Sequence, residues 1–322
     1  MQGQPLTAQP KISDIDLDLE TIAPVLDPYV VERMPLDSER WRDYRAGLEK
    51  RWRRRRWRRA FFGWLPKGGN IPRVLRGRRT QDYVRQSYEQ TFAARAWPET
   101  TSVPPRKELV PAEWRGEGLL VRRGGLPRVH LMLMARAIEA LQPRSVLEVG
   151  AGHGINLFVL SCRFPEITWQ GIELTTSGVQ RAQTAQQSEA FPDALRAYCP
   201  WDHVDETAYR RIEFRQGDAT KLPFEDKAFD LVFSRQAVEQ MEMVRDAALS
   251  EITRVARDHV LMVEPFADFN RSALQRNYVR AKDYFNLPVA GLADFGIAPV
   301  LETSSFPQHV LLGQGLVVSR VN

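Results

Sequence analysis

Between Val146 and Gly154 the chain reads Val-Leu-Glu-Val-Gly-Ala-Gly-His-Gly, an apolar strand running into a glycine-rich turn. Glycine at 150, 152 and 154 lets backbone approach a ligand with no Cβ between them, and the helix start that follows offers free N–H groups. A nicotinamide dinucleotide fingerprint needs a last glycine where Ile155 stands, and Glu148 sits just before the first glycine. Both features point to a different adenosine cofactor. Two further carboxylates, Glu173 and Asp218, fall at the ends of later apolar runs. Strand carboxyl ends are where open α/β sheets bind their ligands.

Such positions require a scaffold of short apolar strands covered on both faces by helices. From about residue 126 the sequence has that rhythm. Strands are predicted over 145–150, 168–174, 211–216, 229–234 and 259–264, with a terminal pair near 300–305 and 316–321. Helices are predicted over 155–163, 178–190 and 244–256, the last with Val244, Ala248, Ile252 and Val255 on one face. No helical pattern separates the last two strands, which predicts a hairpin and hence one antiparallel strand.

With these marks in order, residues 128–322 resemble the class I S-adenosylmethionine-dependent methyltransferases. Glu148, Gly150, Ala151, Gly152 and Gly154 match the family's first motif, which there holds the methionine part of the cofactor. Glu173, followed by Leu174, matches the acid that accepts from the ribose hydroxyls, and two carboxylate oxygens suit a diol. Gly217-Asp218-Ala219 matches the segment whose Asp accepts from the adenine amino group. Phe229 to Ser234 with Ala237-Val238-Glu239 behind it matches the strand and turn that reach the reacting methyl group. The resemblance implies S-adenosyl-L-methionine as cofactor and a Rossmann-like, doubly wound, mostly parallel seven-stranded sheet with an antiparallel terminal strand. The cofactor contacts it implies are Glu148, Gly150, Ala151, Gly152, Gly154, Glu173, Leu174, Asp218, Ala219 and Ser234.

Methyl transfer from a sulfonium needs positioning and exclusion of water, and a base only when the acceptor is a hydroxyl or another weak nucleophile. Candidates for that base are Glu239, Glu264 and His153. The family often places His after the acid at 239, where this chain has Gln240, which takes no proton. Asp230 reads as a turn or cap residue. The long connection at 191–209, with Tyr198, Trp201, His203 and Tyr209, is either a substrate lid or a surface insertion. No histidine pair has metal-ligand spacing, so no metal site is expected.

The N-terminal third differs in kind. Residues 1–40 carry 3 basic and 8 acidic residues with five prolines, and read as a flexible acidic arm. Residues 41–67 carry 11 basic and 2 acidic residues, with Trp41, Tyr44, Leu48 and Trp52 at helical steps and Trp57, Phe61 and Trp64 continuing the stripe. This is a basic amphipathic segment able to lie on an anionic membrane surface, to bind nucleic acid, or to cover the catalytic domain. Residues 68–127 complete a mainly helical basic extension that could cover a substrate pocket.

Overall, 43% hydrophobic and 26% charged residues exclude disordered and collagenous classes. Cys162 and Cys199 are too few for a disulfide framework. The acidic N-terminus lacks targeting features, which makes the cytoplasm the expected compartment, with peripheral binding at the inner membrane face through 41–67 as an option. The expected activity is methylation, at oxygen, of a small-molecule or lipid-linked acceptor. The alternative is an RNA-modifying or RNA-binding enzyme. The catalytic half, with 19 basic and 24 acidic residues from 132 onward, lacks the basic face expected beside phosphates.

Overall fold

The computed structural model describes residues 16–62, 79–94, 108–202 and 204–322, and gives only the backbone of 55–62 and 94. In chain order the N-terminal elements are helix α1 (Ile22–Leu26), strand β1 (Val30–Pro35), helices α2 (Glu39–Phe62) and α3 (Gln81–Ala94), strands β2 (Val110–Trp114) and β3 (Glu117–Val121), and helix α4 (Gly125–Leu141). There follow β4 (Ser145–Val149), α5 (Ile155–Arg163), β5 (Thr168–Glu173), α6 (Thr176–Gln186), β6 (Glu213–Gln216), β7 (Phe229–Arg235), α7 (Arg245–Val255) and β8 (Ala256–Glu264). Helix α8 (Ala273–Lys282) and strands β9 (Ile297–Thr303), β10 (Gln308–His309) and β11 (Gly315–Val321) close the chain.

The main sheet has the order β6-β5-β4-β7-β8-β11-β9. Strands β4 to β8 are mutually parallel, and β11 runs antiparallel to both β8 and β9, as the lack of helical pattern between the last strands predicts. Covered on both faces, the central strands are mostly apolar: Val146, Leu147 and Val149 of β4 are fully buried, with Glu148 between them. Asp230 is structural, its Oδ2 accepting from Arg144 N (2.8 Å) and Ser145 N (3.1 Å) to fix the start of β4 beside β7.

A second sheet, antiparallel with order β1-β3-β2-β10, was not expected from the sequence. Its last strand is a two-residue piece of the β9–β11 connection, which pairs Gln308 and His309 with Glu113 and Ala112. The N-terminal extension is therefore hydrogen-bonded to the catalytic half. The flexible arm expected over 1–40 is corrected from residue 16 on: Ile22 and Leu26 are completely buried, and Met34 of β1 nearly so. Their apolar surface is worth more buried than the entropy of a free arm.

The aromatic stripe of α2 has an equally definite place. Trp41 is 1% exposed and stacks on Tyr44, and Leu48 and Trp52 pack with them against Leu120, Leu274 and Val310. As far as Trp52 the stripe covers the protein's own core. Trp57, Phe61 and Trp64 lie outside the described side chains. The 191–209 connection is packed at its ends, where Phe191 and Tyr209 meet edge to face and Tyr209 also abuts Phe158 of α5, while its Tyr198 lines a cavity beside the glycine turn. His203 lies outside the described residues. Cys162 and Cys199 are buried free thiols. Among the described residues no helix is long and apolar enough to cross a membrane.

Candidate active site

The glycine turn after β4 is built as its sequence demands. Gly150 N and Ala151 N donate to Ile172 O of β5 at 2.9 and 3.0 Å, so the turn folds back over the neighbouring strand. Gly152 has φ +57°, and a Cβ there would lie 3.2 Å from the Phe92 ring of α3. Gly154, also at positive φ, instead abuts Phe158 and Phe214, so it shapes the packing at the start of α5. Glu173 at the end of β5 is held from three sides. Its Oε2 accepts from Gly152 N (2.9 Å), and its Oε1 accepts from Thr175 N (3.0 Å) and Thr175 Oγ1 (2.7 Å).

A cavity of about 240 Å³ lies between this turn and helix α3. Of the expected residues, Gly150, Ala151, Gly152, Glu173, Leu174 and Ala219 line it, as does His153. Glu148, Gly154, Asp218 and Ser234 do not reach its surface. Asp218 Oδ1 takes Gln81 Nε2 of α3 (2.7 Å) and both donors of Thr220. Ser234 Oγ donates to Glu264 (2.9 Å). Glu148 is wholly buried one layer behind the wall, where Asn156 Nδ2 donates to its Oε1 (2.6 Å) and its Oε2 has no partner. Burial pushes the Glu148 carboxyl up to about 8, against the pull of Asn156 and of the Arg235 charge.

Helix α3 roofs this cavity with Val84, Tyr88 and Phe92, one face at steps of four. Ser177 N and Arg181 of α6 grip Glu89 and the Phe92 carbonyl. The i, i+4, i+8 spacing is visible in the sequence, but nothing in the sequence says which surface it covers.

A second cavity of about 560 Å³ adjoins the first, and Phe92, His153, Ile155, Arg235 and Gln236 line both. Arg235 is the residue that sequence reasoning missed. It ends β7, is half-buried, and donates to Asn156 Oδ1 (3.1 Å) and His130 Nδ1 (3.4 Å). A long cation after Ser234 is the signal in the sequence, but its role depends on α4 bringing up His130. Next to it Gln236 has φ +54°, a left-handed conformation that is strained for a residue other than glycine.

The structure separates the three proposed bases. His153 stands at the junction of the cavities, its ring 5.2 Å from that of Phe92. Glu264 lines neither cavity and acts as a brace: its Oε1 accepts from Ser234 Oγ, Ala237 N and Val238 N, and its Oε2 from Glu239 N. With its oxygens so committed it is a poor base, and we correct its assignment to positioning of the 236–239 turn. Glu239 also lies off both cavity walls. Gln240 donates to its Oε1 (2.7 Å) and its Oε2 has no partner, while burial first and Glu264 second push its carboxyl up to about 8. Among the described residues no group of three His, Cys, Asp or Glu side chains could hold a metal ion.

A doubly wound sheet with a glycine turn and a strand-end carboxylate is the arrangement that the resemblance to class I methyltransferases implies. Residues 147–263 match the family model described as a methyltransferase domain. The chain is similar to a fatty-acid O-methyltransferase of Mycolicibacterium smegmatis, 31% identical over 40% of this chain and 39% of that one. It is also similar to the uncharacterized methyltransferase YcgJ of Bacillus subtilis, 28% identical over 42% of this chain and 47% of that one. The chain thus spans about two fifths to one half of the length of the curated relatives it matches. Among solved structures, the magnesium protoporphyrin IX methyltransferase of Synechocystis aligns over 76% of this chain and 100% of that one (12% identity, TM-score 0.51). The 4+2 cyclase SpnF aligns over 76% and 97% (15% identity, TM-score 0.51). At such identities the likeness concerns the fold alone, and two proteins named for different reactions share it.

Proposed function

We propose that the protein transfers a methyl group from S-adenosyl-L-methionine to an oxygen of a small-molecule or lipid-linked acceptor. The observation that carries this reading is the pair of adjoining cavities, one built on the glycine turn and the other opening beside it at His153, Arg235 and Gln236. One cavity takes the cofactor and the other the acceptor. The fatty-acid O-methyltransferase relative supports both the chemistry and the acceptor class.

The residues present fit the cofactor. Glu173, oriented by Gly152 N and Thr175, keeps acceptor capacity for a diol on the cavity side. The unpartnered Oε2 of Glu148 is a buried acceptor behind the turn, suited to a cationic group at one remove. Gly150 to Gly152 give backbone approach without side chains. When bound, the cofactor supplies a methyl group on a strong leaving group, so the chain needs only to bind, align and dehydrate. Tyr88 and Phe92 of α3 exclude water from above, and the turn braced by Glu264 fixes Gln236 at the passage between the cavities.

Calorimetry with S-adenosylmethionine, S-adenosylhomocysteine and NADH tests the reading. Both sulfur cofactors bind and NADH does not; the reverse pattern ends the proposal. Labelled methyl groups offered with lipid, RNA and soluble-metabolite fractions then separate the acceptor classes, with label expected outside the RNA.

A further inference from the structure

The walls of the second cavity carry an unusual charge balance. Arg122, Arg123, Arg181 and Arg235 line it, and among its described lining residues there is no carboxylate. Arg235 is half-buried at the junction of the two cavities. Both groups that accept from it, His130 Nδ1 and Asn156 Oδ1, are neutral, and the carboxylates that feel its charge, Glu148, Glu239 and Glu264, lie off this wall and accept no hydrogen bond from it. Four arginines on a wall with no carboxylate among its described residues favour an anionic ligand.

Two histidines of this wall, His130 and His309, are donors. His130 Nδ1 accepts from Arg235, and His309 Nδ1 accepts from Leu311 N (3.0 Å). Burial keeps both rings neutral, so each carries its proton on Nε2. Neither can take a proton through the nitrogen already engaged. Glu239 and Glu264 lie off both cavity walls. Of the three candidate bases only His153 is on this wall, so the arginines rather than a missing base favour an acceptor that arrives as an anion over an alcohol. The rest of the lining sets apolar residues, Phe92, Val110, Leu126 and Leu312 among them, beside polar ones such as Gln236 and Gln314.

From these features we infer that the acceptor is a carboxylic acid with an apolar body, bound as its carboxylate and converted to the methyl ester. The inference rests on the methyl-transfer reading above. A carboxylate oxygen forms the new C–O bond to the methyl carbon as the S–C bond breaks, its electron pair passing to sulfur. The sulfonium charge and the carboxylate charge cancel, and no proton is released. Arg235 and the two Nε2–H groups hold the carboxylate, and the apolar residues of the wall hold its chain.

The test uses the full chain with methyl-tritiated S-adenosylmethionine. It is offered octanoate, laurate, palmitate and phenylacetate, each beside the alcohol and the amine of the same skeleton. Products are treated with alkali, which frees labelled methanol from esters and leaves ethers and methylamines intact. Alkali-labile label from the acids, with none from the alcohols or amines, is the expected result. Alkali-stable label from alcohols or amines overturns the inference, as does failure of every acid to bind by calorimetry in the presence of S-adenosylhomocysteine. Acid binding by a protein that binds neither sulfur cofactor overturns the methyl-transfer reading, and the ester step with it.

Arg235 variants risk misfolding, so the exposed Arg123 supplies the second arm. Arg123→Ala raises KM for the acid about 10- to 100-fold with a smaller change in kcat, and weakens calorimetric acid binding equally. Unchanged acid binding in this variant and in Arg235→Lys counts against the anionic site.

Discussion

Glu173 Oε2 lies 2.9 Å from Gly152 N, so the carboxylate that ends β5 and the turn that follows β4 form one unit. The contact orients the carboxylate and orders the backbone against which a cofactor rests. The same side chain takes both donors of Thr175, the N-cap of α6.

Glu173→Ala therefore weakens binding of S-adenosylmethionine and S-adenosylhomocysteine alike, by about 1.5 to 3 kcal/mol, the worth of charge-assisted hydrogen bonds. Both ligands carry the ribose, so calorimetry should show parallel losses. A loss confined to one of them would show that Glu173 does not hold the shared part.

Gly152→Val removes cofactor binding by a steric route. The backbone at φ +57° disfavours a branched side chain by roughly 1 to 2 kcal/mol, and the new Cβ lies 3.2 Å from Phe92. Circular dichroism should report a folded protein and calorimetry no binding. Retained affinity would place the cofactor away from this turn.

How much of this was open to a reader of the sequence depends on distance along the chain. Glu148 to Gly154 declares itself because strand, turn and helix are contiguous, and the parallel run of the sheet follows from the alternation of elements, though its strand order does not. Arg235 did not, because its meaning comes from His130, 105 positions earlier, and from Asn156. The second sheet was hidden for the same reason: Gln308 pairs with Glu113 across almost 200 residues, in strands too short to show a pattern. Glu264 was legible as a strand-end carboxylate, yet its engagement by backbone N–H groups depends on how the 236–239 turn packs.

Glu239 makes stability depend on pH. Its folded carboxyl is raised from 4.5 to about 8, mainly by burial, so between those values the folded state holds a proton that the unfolded state has released. Stability is then fully present below about pH 4.5 and falls as pH rises towards 8, at up to about 1.4 kcal/mol per pH unit for one such group. Urea unfolding of the cofactor-free protein from pH 5 to 9 should show the fall, and Glu239→Gln should make it shallower by the share of one group, with Glu148 and Glu264 keeping theirs. An identical slope in the variant would locate the titrating group elsewhere.

The last prediction concerns Trp41 and the role of the arginine-rich helix. The Trp41 ring lies flat on β3, so close that a Cβ on Gly118 would stand 2.2 Å from it, and its Nε1 donates to Glu113 of β2 (3.2 Å). Trp41→Ala leaves a large void, while Glu113 Oε1 keeps Arg45 as donor, and should destabilise the protein by about 3 to 5 kcal/mol. Gly118→Ala meets the same ring from the other side and should be similarly harmful, since the indole has no room to retreat. A membrane anchor would behave differently: truncating its aromatic residues would lower vesicle binding and leave the midpoint of denaturation unchanged. Because Trp41, Tyr44 and Trp52 are engaged internally, a surface role for this part of α2 falls to its arginines and must be salt-sensitive. Chemical denaturation of the two variants, with sedimentation on anionic vesicles at low and high salt, reads both effects. A Trp41→Ala protein of wild-type stability would return the stripe to the membrane.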